Sequence, residues 1–352
     1  MRIGVICRAD QRGIGYQTRQ FRDNMPVEST LVVSIPTSGW AEDLTPFDWN
    51  TDVLVEWDPT QPELHEQTVR DWLRRVDVVF AVESLYDWRI VYWAHSLRVK
   101  VVVQGNPEFY LHRQPEWPRP DPDEWWWPTE WLVADWSLPG RIMPVPTPSD
   151  VPEGLAADPF TGDLQVALVI GHSAHRDRAG AMIAMSALRL LDSGIHVHVH
   201  CQDADLPIPV NTSGLPLRCG VTVHTGGVDD RWDLYRGKHL VVSPRRYGGL
   251  SLPTLEAFAA GLAVAMPAGS PNACWPIVPL GYRMGPPIPT QAGSVPHLET
   301  EWESIASVVN GLAADRIGLA HDMWSGLHWA VSNSWAEWGP RYVDALQEVV
   351  SR

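Results

Sequence analysis

The first half of the chain alternates short, continuous hydrophobic runs with amphipathic stretches. The runs are four to six residues long, which is typical of strands that are buried on both faces. The predicted strands are residues 2–7, 30–35, 52–55, 77–82 and 100–104, and the predicted helices are residues 16–24, 62–76 and 88–97. This alternation predicts an α/β fold with a parallel sheet, and such sheets bind ligands outside the carboxyl ends of their strands.

A second series of strands and helices follows two proline-rich stretches, residues 115–128 and 139–152. The later stretch is typical of a linker between domains. Beyond it, the predicted strands are residues 165–171, 196–200, 221–224, 239–243 and 263–266, and the predicted helices are 179–191, 231–236 and 252–260. Roughly the last 50 residues also have helical periodicity. We therefore predict two Rossmann-like domains, residues 1–146 and residues 147–333.

Composition limits the class of protein. A chain of 352 residues is long enough for two domains, and its hydrophobic content of 45% can fill two cores. The four cysteines lack CxxC spacing, which favours reduced thiols in a cytoplasmic protein. We see no hydrophobic run long enough for a membrane span and no signal-peptide pattern. The net charge of −15 argues against a broad nucleic-acid-binding surface.

Residues 244–267 carry the clearest sign of ligand binding. A predicted strand leads into a glycine-rich turn, and the turn leads into a helix that begins near Leu252. Free backbone N–H groups and the helix dipole at such a point suit a phosphate. Glu256 follows one turn into the helix, where its carboxylate can reach ligand hydroxyls. Phosphate and hydroxyl binding together predict a site for a nucleotide or a nucleotide sugar.

The run from Tyr247 to Ala257 resembles the donor-site motif of retaining GT-B glycosyltransferases of the family 4 group, Glu-Gly-Phe-Gly-Leu-Pro-x-x-Glu-Ala. The resemblance implies two Rossmann-like domains that face a central cleft. It also implies that Glu256 binds the ribose and that the turn binds the donor, through Gly248, Gly249, Leu250 and Ser251. Gly248 replaces the family's first glutamate, which contacts the transferred sugar. We therefore expect Gly248→Glu to narrow or switch the donor preference without abolishing folding.

The same resemblance assigns roles to residues outside this run. Gly227 and Val228 would hold the base through their backbone groups. Gly13 and Gly15 are similar to the family's glycine loop, which faces the cleft. Ser334, Trp335 and Tyr342 are similar to its closing helix, so residues 334–352 are expected to pack back onto the first domain. The diphosphate needs local positive charge in an acidic chain, and the candidates are Arg176, Arg178, Arg245 and Arg246. Of these, Arg176 is our candidate for catalysis.

Several other residues have both a functional and a structural interpretation. Glu83 and Glu108 follow strands of the first domain, where a carboxylate could act as the catalytic base or merely cap a helix. The tryptophan-rich run 124–131 could form an acceptor platform, but packing is favoured. His196, His198 and His200 share one face of a strand, yet no partner has the spacing of a metal ligand, so we predict no metal site.

The predicted function is that of a metal-independent, retaining hexosyltransferase. It would move a sugar from a UDP- or GDP-linked donor to an acceptor hydroxyl, and no cofactor is expected besides this donor substrate. The acceptor stays open among a small molecule, a glycan, a protein and a modified nucleic-acid base. The alternative is a non-catalytic protein that binds a sugar nucleotide or a glycan on the same fold. An NAD-dependent oxidoreductase is disfavoured because no third glycine follows Gly13 and Gly15 at Rossmann spacing.

Overall fold

The computed structural model describes residues 1–7, 13–34, 52–56, 63–109, 120–171, 178–202, 217–290 and 293–352. The chain forms two compact units, each with its own parallel sheet. Unit 1 comprises Met1–Val145, Thr290–Gly293 and Trp335–Arg352, and unit 2 comprises Pro146–Pro289 and Ser294–Ser334. No helix of the described residues has the length and hydropathy needed to cross a membrane.

The sheet of unit 1 has seven parallel strands in the order β3-β2-β1-β4-β5-β6-β7. The strands are β1 (Ile3–Cys7), β2 (Val27–Ser34), β3 (Val53–Glu56), β4 (Val78–Val82), β5 (Lys100–Gln104), β6 (Glu124–Trp127) and β7 (Arg141–Ile142). The helices that accompany them are α1 (Gly13–Asn24), α2 (Glu66–Leu73) and α3 (Arg89–Ser96). The strand order reverses between β1 and β4, as in a doubly wound sheet.

The sheet of unit 2 has six parallel strands in the order β10-β9-β8-β11-β12-β13. The strands are β8 (Leu164–Gly171), β9 (Ile195–Cys201), β10 (Gly220–Thr225), β11 (Leu240–Val242), β12 (Ala263–Pro267) and β13 (Val278–Leu280), and β14 (Tyr282–Thr290) pairs separately with β15 (Gly293–Thr300). The helices are α4 (Ala181–Ala187), α5 (Leu252–Ala259), α6 (Trp302–Ala314) and α7 (Arg316–Ser332). The order reverses between β8 and β11, so a ligand crevice is expected at their carboxyl ends.

The tryptophan run forms β6 and packs in the core of unit 1. Trp126 and Trp127 are fully buried and Trp125 is 8% exposed, so these rings pack and leave no face free to stack on a sugar. Trp125 and Trp127 stack on each other, with 5.4 Å between their ring centroids. The preference for packing is confirmed. Residues 128–137 form bends and turns after β6.

The C-terminal helix α8 (Trp335–Ser351) lies in unit 1 and packs on the same core. Its Tyr342 ring lies 5.2 Å from the Trp126 ring, measured between centroids. The Tyr342 hydroxyl donates to the Pro144 carbonyl at 3.0 Å and accepts from Gln104 Nε2 at 2.8 Å. Because Tyr342 and Gln104 are buried, α8 is fixed on the sheet by directed hydrogen bonds as well as by hydrophobic contact.

Candidate functional site

The start of α5 lies where the strand order of unit 2 reverses. Residues 243–251 connect the carboxyl end of β11 to α5, and Pro253 occupies the first turn of that helix. Ser251 is the N-cap, but its side chain accepts from the Thr254 hydroxyl at 2.8 Å and does not cap the helix. Backbone N–H groups at an uncapped helix start are suited to an anion. This is the geometry that the glycine-rich turn predicted.

Glu256 is held one turn into α5 by two buried partners. The Tyr235 hydroxyl donates to Oε2 of Glu256 at 2.7 Å, and Arg231 Nη1 donates to Oε1 at 3.3 Å. The Glu256 side chain is only 9% exposed. Burial raises the pKa of Glu256, while the charge of Arg231 and the hydrogen bond from Tyr235 oppose that rise. A carboxylate has about four acceptor positions, so these two bonds orient it and leave acceptor capacity for ligand hydroxyls.

Arg231 ties this carboxylate to a second acidic residue. Its guanidinium also forms a hydrogen-bonded ion pair with Asp150, whose side chain is 40% exposed. The same guanidinium lies 4.7 Å from the centroid of the Trp232 ring. Arg231 itself is 5% exposed, so its charge is desolvated and is balanced by two carboxylates. Neither Arg231 nor Asp150 was predicted as a site residue, because the two lie 81 positions apart and no local motif links them.

Two guanidinium groups occupy the space beside Gly248, and we call Arg178 and Arg245 the arginine pair. A Cβ atom built on Gly248 would overlap the terminal nitrogens of both arginines and would lie 2.8 Å from Cζ of Arg245. Gly248 also has a φ of +128°, a conformation that favours glycine. A side chain at residue 248 would therefore displace the arginine pair, and the expected change in donor preference of Gly248→Glu stays a prediction.

The arginine pair is positioned by the loop that follows β11. Arg178 Nε donates to the Tyr247 carbonyl at 3.2 Å, and its guanidinium lies 5.4 Å from the centroid of the Tyr247 ring. The backbone N–H of Arg246 donates to the Arg178 carbonyl at 2.9 Å. Arg245 is 8% exposed. Positive charge is therefore concentrated within a few residues of the start of α5, in a chain whose net charge is −15.

Arg246 points to a different set of partners. Its Nη2 lies 2.7 Å from Nε2 of the buried His297, and 4.0 Å from the Glu299 carboxylate. The hydrogen bond with His297 lowers the pKa of Glu299. Arg246 therefore has its own acidic neighbour on β15.

The remaining predicted donor residues lie as follows. Gly227 and Val228 come directly after β10, the third strand of unit 2 along the chain; Gly227 is exposed and Val228 is partly buried. Gly13 and Gly15 lie in the first turn of α1, and Gly15 is buried. Gly249 and Leu250 belong to the turn before α5. Arg176 lies outside the described residues.

Glu83 and Glu108 follow β4 and β5 in unit 1, but they differ in burial. Glu83 is partly exposed, has a φ of +61°, and its Oε1 accepts from Asn106 Nδ2 at 2.5 Å. Glu108 is 1% exposed. Of these two carboxylates, Glu83 is therefore the more accessible.

Four histidine rings contact one another along β9 and β10, and we call them the histidine ladder: His196, His198, His200 and His224. The His200 and His224 rings stack with 4.4 Å between their centroids, and Nδ1 of His198 lies 3.4 Å from Nε2 of His224. Neither ring nitrogen of His200 has a hydrogen-bond partner among the described residues. In the part of the chain that the structure describes, no group of three or more His, Cys, Asp or Glu residues could hold a metal ion.

The ladder should make the protein sensitive to acid. Burial, reinforced by the neighbouring positive charges, lowers the pKa of His198 and of His200 to about 4. In the unfolded chain both pKa values return to about 6.5, so the unfolded state binds more protons between these limits and stability falls as the pH drops through them. We expect a loss of about 2–4 kcal/mol between pH 7 and pH 4.5 from these two groups, after allowing for the partial exposure of His198.

Urea unfolding across this pH range measures the effect. The control is His200→Gln, which removes one titrating ring and should flatten the dependence. An equally steep dependence in wild type and variant would contradict this origin.

Adding a methyl group at residue 248 should be costly. Gly248→Ala combines a positive φ with overlap of the arginine pair, and we expect about 1–3 kcal/mol of destabilisation in thermal unfolding. The matched control is Gly311→Ala, where a built Cβ meets nothing within 4 Å inside α6. That variant should be neutral or stabilised by up to about 1 kcal/mol. Similar losses in both variants would contradict the crowding at Gly248.

Solved structures similar to this chain span nearly its whole length with little sequence identity. HepE of Anabaena, solved with UDP-glucose, has a TM-score of 0.65 at 13% identity over 99% of this chain and 100% of HepE. Sucrose-phosphate synthase of Thermosynechococcus elongatus has a TM-score of 0.64 at 10% identity over 100% and 99%. A putative UDP-N-acetylglucosamine 2-epimerase of Listeria monocytogenes has a TM-score of 0.52 at 11% identity over 92% and 91%.

The sequence matches no protein-family model and no curated protein. Likeness at 10–13% identity concerns the fold, and the two parallel sheets with reversed strand orders agree with it. The chain therefore has the GT-B fold of the glycosyltransferases to which it is similar.

Proposed function

We propose that the protein is a retaining glycosyltransferase that uses a UDP- or GDP-linked sugar as its donor. The observation that carries the proposal is the placement of Glu256 and the arginine pair beside the uncapped start of α5, at the reversal of the strand order. The Glu256 carboxylate can accept hydrogen bonds from the ribose hydroxyls, and the start of α5 can bind the diphosphate. The arginine pair can bind further negative charge. HepE, which has the same fold, was solved with UDP-glucose.

The residues of unit 2 would supply most of the driving force for departure of the nucleoside diphosphate. In the reaction, the bond from the sugar's anomeric carbon to the diphosphate oxygen breaks, and a bond to the acceptor oxygen forms on the same face. Negative charge grows on the diphosphate as its bond breaks. The start of α5 and the arginine pair stabilise that charge without a metal ion. Glu83 is our candidate for accepting the acceptor's proton.

The alternative is a non-catalytic protein that binds a sugar nucleotide. The observation that favours it is Gly248, which replaces the acidic residue of the motif that the run resembles. Binding alone does not separate the two proposals, because both need the same nucleotide site. Release of nucleoside diphosphate from the donor does separate them.

Nucleotide binding should depend on the charge of Glu256. Glu256→Gln keeps the side-chain shape and a partner for Tyr235 but loses a charge-assisted bond to the ribose. We expect it to cost about 1.5–3 kcal/mol of affinity for UDP or GDP by calorimetry. The control is Tyr235→Phe, which keeps the carboxylate charge and should lose less affinity. Unchanged affinity in Glu256→Gln would remove the donor-site assignment.

A further inference from the structure

The two terminal nitrogens of the Arg231 guanidinium donate to two different carboxylates. Nη1 donates to Oε1 of Glu256 at 3.3 Å, and Nη2 donates to Oδ1 of Asp150. The Arg231 side chain is 6% exposed, so both bonds are made almost out of contact with water. A guanidinium is a planar fork that can give two parallel N–H···O bonds to one carboxylate. In this site the fork is divided, and Asp150 holds one of its two arms.

The division of the fork decides how much of the Glu256 carboxylate is left for a ligand. The Tyr235 hydroxyl occupies one acceptor position on Oε2 at 2.7 Å, and Nη1 of Arg231 occupies one on Oε1. A carboxylate offers about four such positions, so about two remain. The 2′- and 3′-hydroxyls of a nucleotide's ribose need these positions. A fork closed on Glu256 through both nitrogens would take one of them.

Asp150 is the most exposed of the three charged side chains in this group. Its side chain is 40% exposed, whereas those of Arg231 and Glu256 are 6% and 9% exposed. Burial is the main cause of the raised pKa of Glu256; the charge of Arg231 opposes the rise, and the charge of Asp150 adds to it. The three charges therefore act on one another, and a substitution of Asp150 should be felt at Glu256 through Arg231.

We propose that Asp150 is a positioning residue for ribose recognition, because it holds Nη2 of Arg231 away from Glu256. This role rests on the proposed function, in which Glu256 binds the ribose. Without Asp150, Nη2 would be a buried donor that has lost this acceptor, which is costly. Rotation of the guanidinium towards Glu256 restores an acceptor, and the closed fork then competes with the ribose hydroxyls for the carboxylate. Asp150 thus makes the site selective for nucleotides that carry both hydroxyls.

Calorimetry with nucleotides that lack the ribose hydroxyls tests this role. The probes are UDP and 2′,3′-dideoxy-UDP, together with GDP and 2′,3′-dideoxy-GDP to cover the second base. We expect wild type to bind the complete nucleotide at least about tenfold more tightly than its dideoxy form. In Asp150→Ala that preference should fall to less than about threefold, while affinity for the dideoxy nucleotide changes by less than about threefold. Asp150→Glu, which keeps an acceptor for Nη2, should retain the preference.

A second substitution separates positioning from direct contact with the ligand. Arg231→Lys in the Asp150→Ala background should recover part of the preference, because a lysine cannot close a two-bond fork on Glu256. No recovery would show that Asp150 binds the ribose itself, and would overturn the positioning role. Asp150→Asn, which keeps the side-chain shape and loses the charge, should lower the preference by a smaller factor and serves if Asp150→Ala fails to fold.

The control is Asp192→Ala, which removes a carboxylate of similar exposure that is paired with Arg218 elsewhere in unit 2 and should leave the preference unchanged. Equal losses for the complete and the dideoxy nucleotide in Asp150→Ala would indicate a merely structural role and would overturn the inference, as would an unchanged preference. Equal binding of the two nucleotides by wild type would overturn it as well. If UDP and GDP both fail to bind wild type, the proposed function itself fails, which is a distinguishable result.

Discussion

Replacing Arg231 with methionine is expected to lower the free energy of unfolding by about 3–5 kcal/mol. The side chain is 6% exposed, and it is the positive partner of both Glu256 and Asp150. Its loss leaves the Glu256 carboxylate buried next to the Tyr235 hydroxyl but without the positive charge of Arg231, and an uncompensated buried charge is among the most destabilising changes a protein can suffer. Urea unfolding at pH 8 measures this loss against wild type.

The pH dependence of the loss identifies its cause. Burial already raises the pKa of Glu256, and the variant lacks the charge that opposes this rise. In the variant the folded state therefore takes up a proton at a higher pH than the unfolded state does, so its deficit relative to wild type shrinks as the pH falls. The double variant Arg231→Met/Glu256→Gln should recover part of the stability, because it removes both charges. Additive losses in the double variant would contradict a charge pair.

Trp126→Ala is expected to cost about 3–5 kcal/mol of stability, the largest effect in unit 1. The ring is fully buried, with centroids 5.6 Å from Phe80 and 5.2 Å from Tyr342, so its removal leaves a cavity between β6 and α8. The matched control is Trp324→Ala on α7, whose side chain is 62% exposed and should cost less than about 1 kcal/mol. Comparable losses in the two variants would contradict a core role for Trp126.

The strands whose bounds were predicted most closely are buried on both faces. Continuous runs such as Val78–Val82 and Lys100–Gln104 have one interpretation, and the structure gives the same bounds to within a residue. The helix predicted at 62–76 is shorter, because Nδ1 of His65 accepts from the Thr68 N–H and the helix begins at Glu66. The His65 cap therefore sets the first residue of α2. Histidine is not among the residues that usually mark a helix start, so the sequence did not predict this boundary.

The strands that were missed carry residues that argue against a strand. Tyr282–Thr290 contains three prolines, which a two-stranded sheet tolerates because each of its strands is an edge. The tryptophans of Glu124–Trp127 lie within the proline-rich stretch 115–128, and prolines argue against a central strand. Their parallel pairing with Lys100–Gln104 is a long-range contact.

The candidate site was predictable only where it is local. The glycine-rich turn and Glu256 lie in one continuous stretch of sequence, so a local motif was enough to identify them. Arg231 contacts Glu256, which lies 25 positions away in the sequence, and Arg178 lies beside Gly248 although their separation in sequence is even longer. Contacts of this kind depend on how strands are ordered in the sheet, and no periodicity in the chain records that order. The crowding beside Gly248 could therefore not be predicted from the sequence.

The most direct test of glycosyltransferase activity is release of nucleoside diphosphate from UDP- and GDP-linked sugars by the purified protein, with water as the default acceptor. We expect slow release from at least one donor by wild type. We expect little release by Glu256→Gln, because that variant binds the nucleotide poorly. Tight binding of nucleotide by wild type with no release from any of these donors, even with added small-molecule and glycan acceptors, would contradict a glycosyltransferase and leave the non-catalytic binding protein.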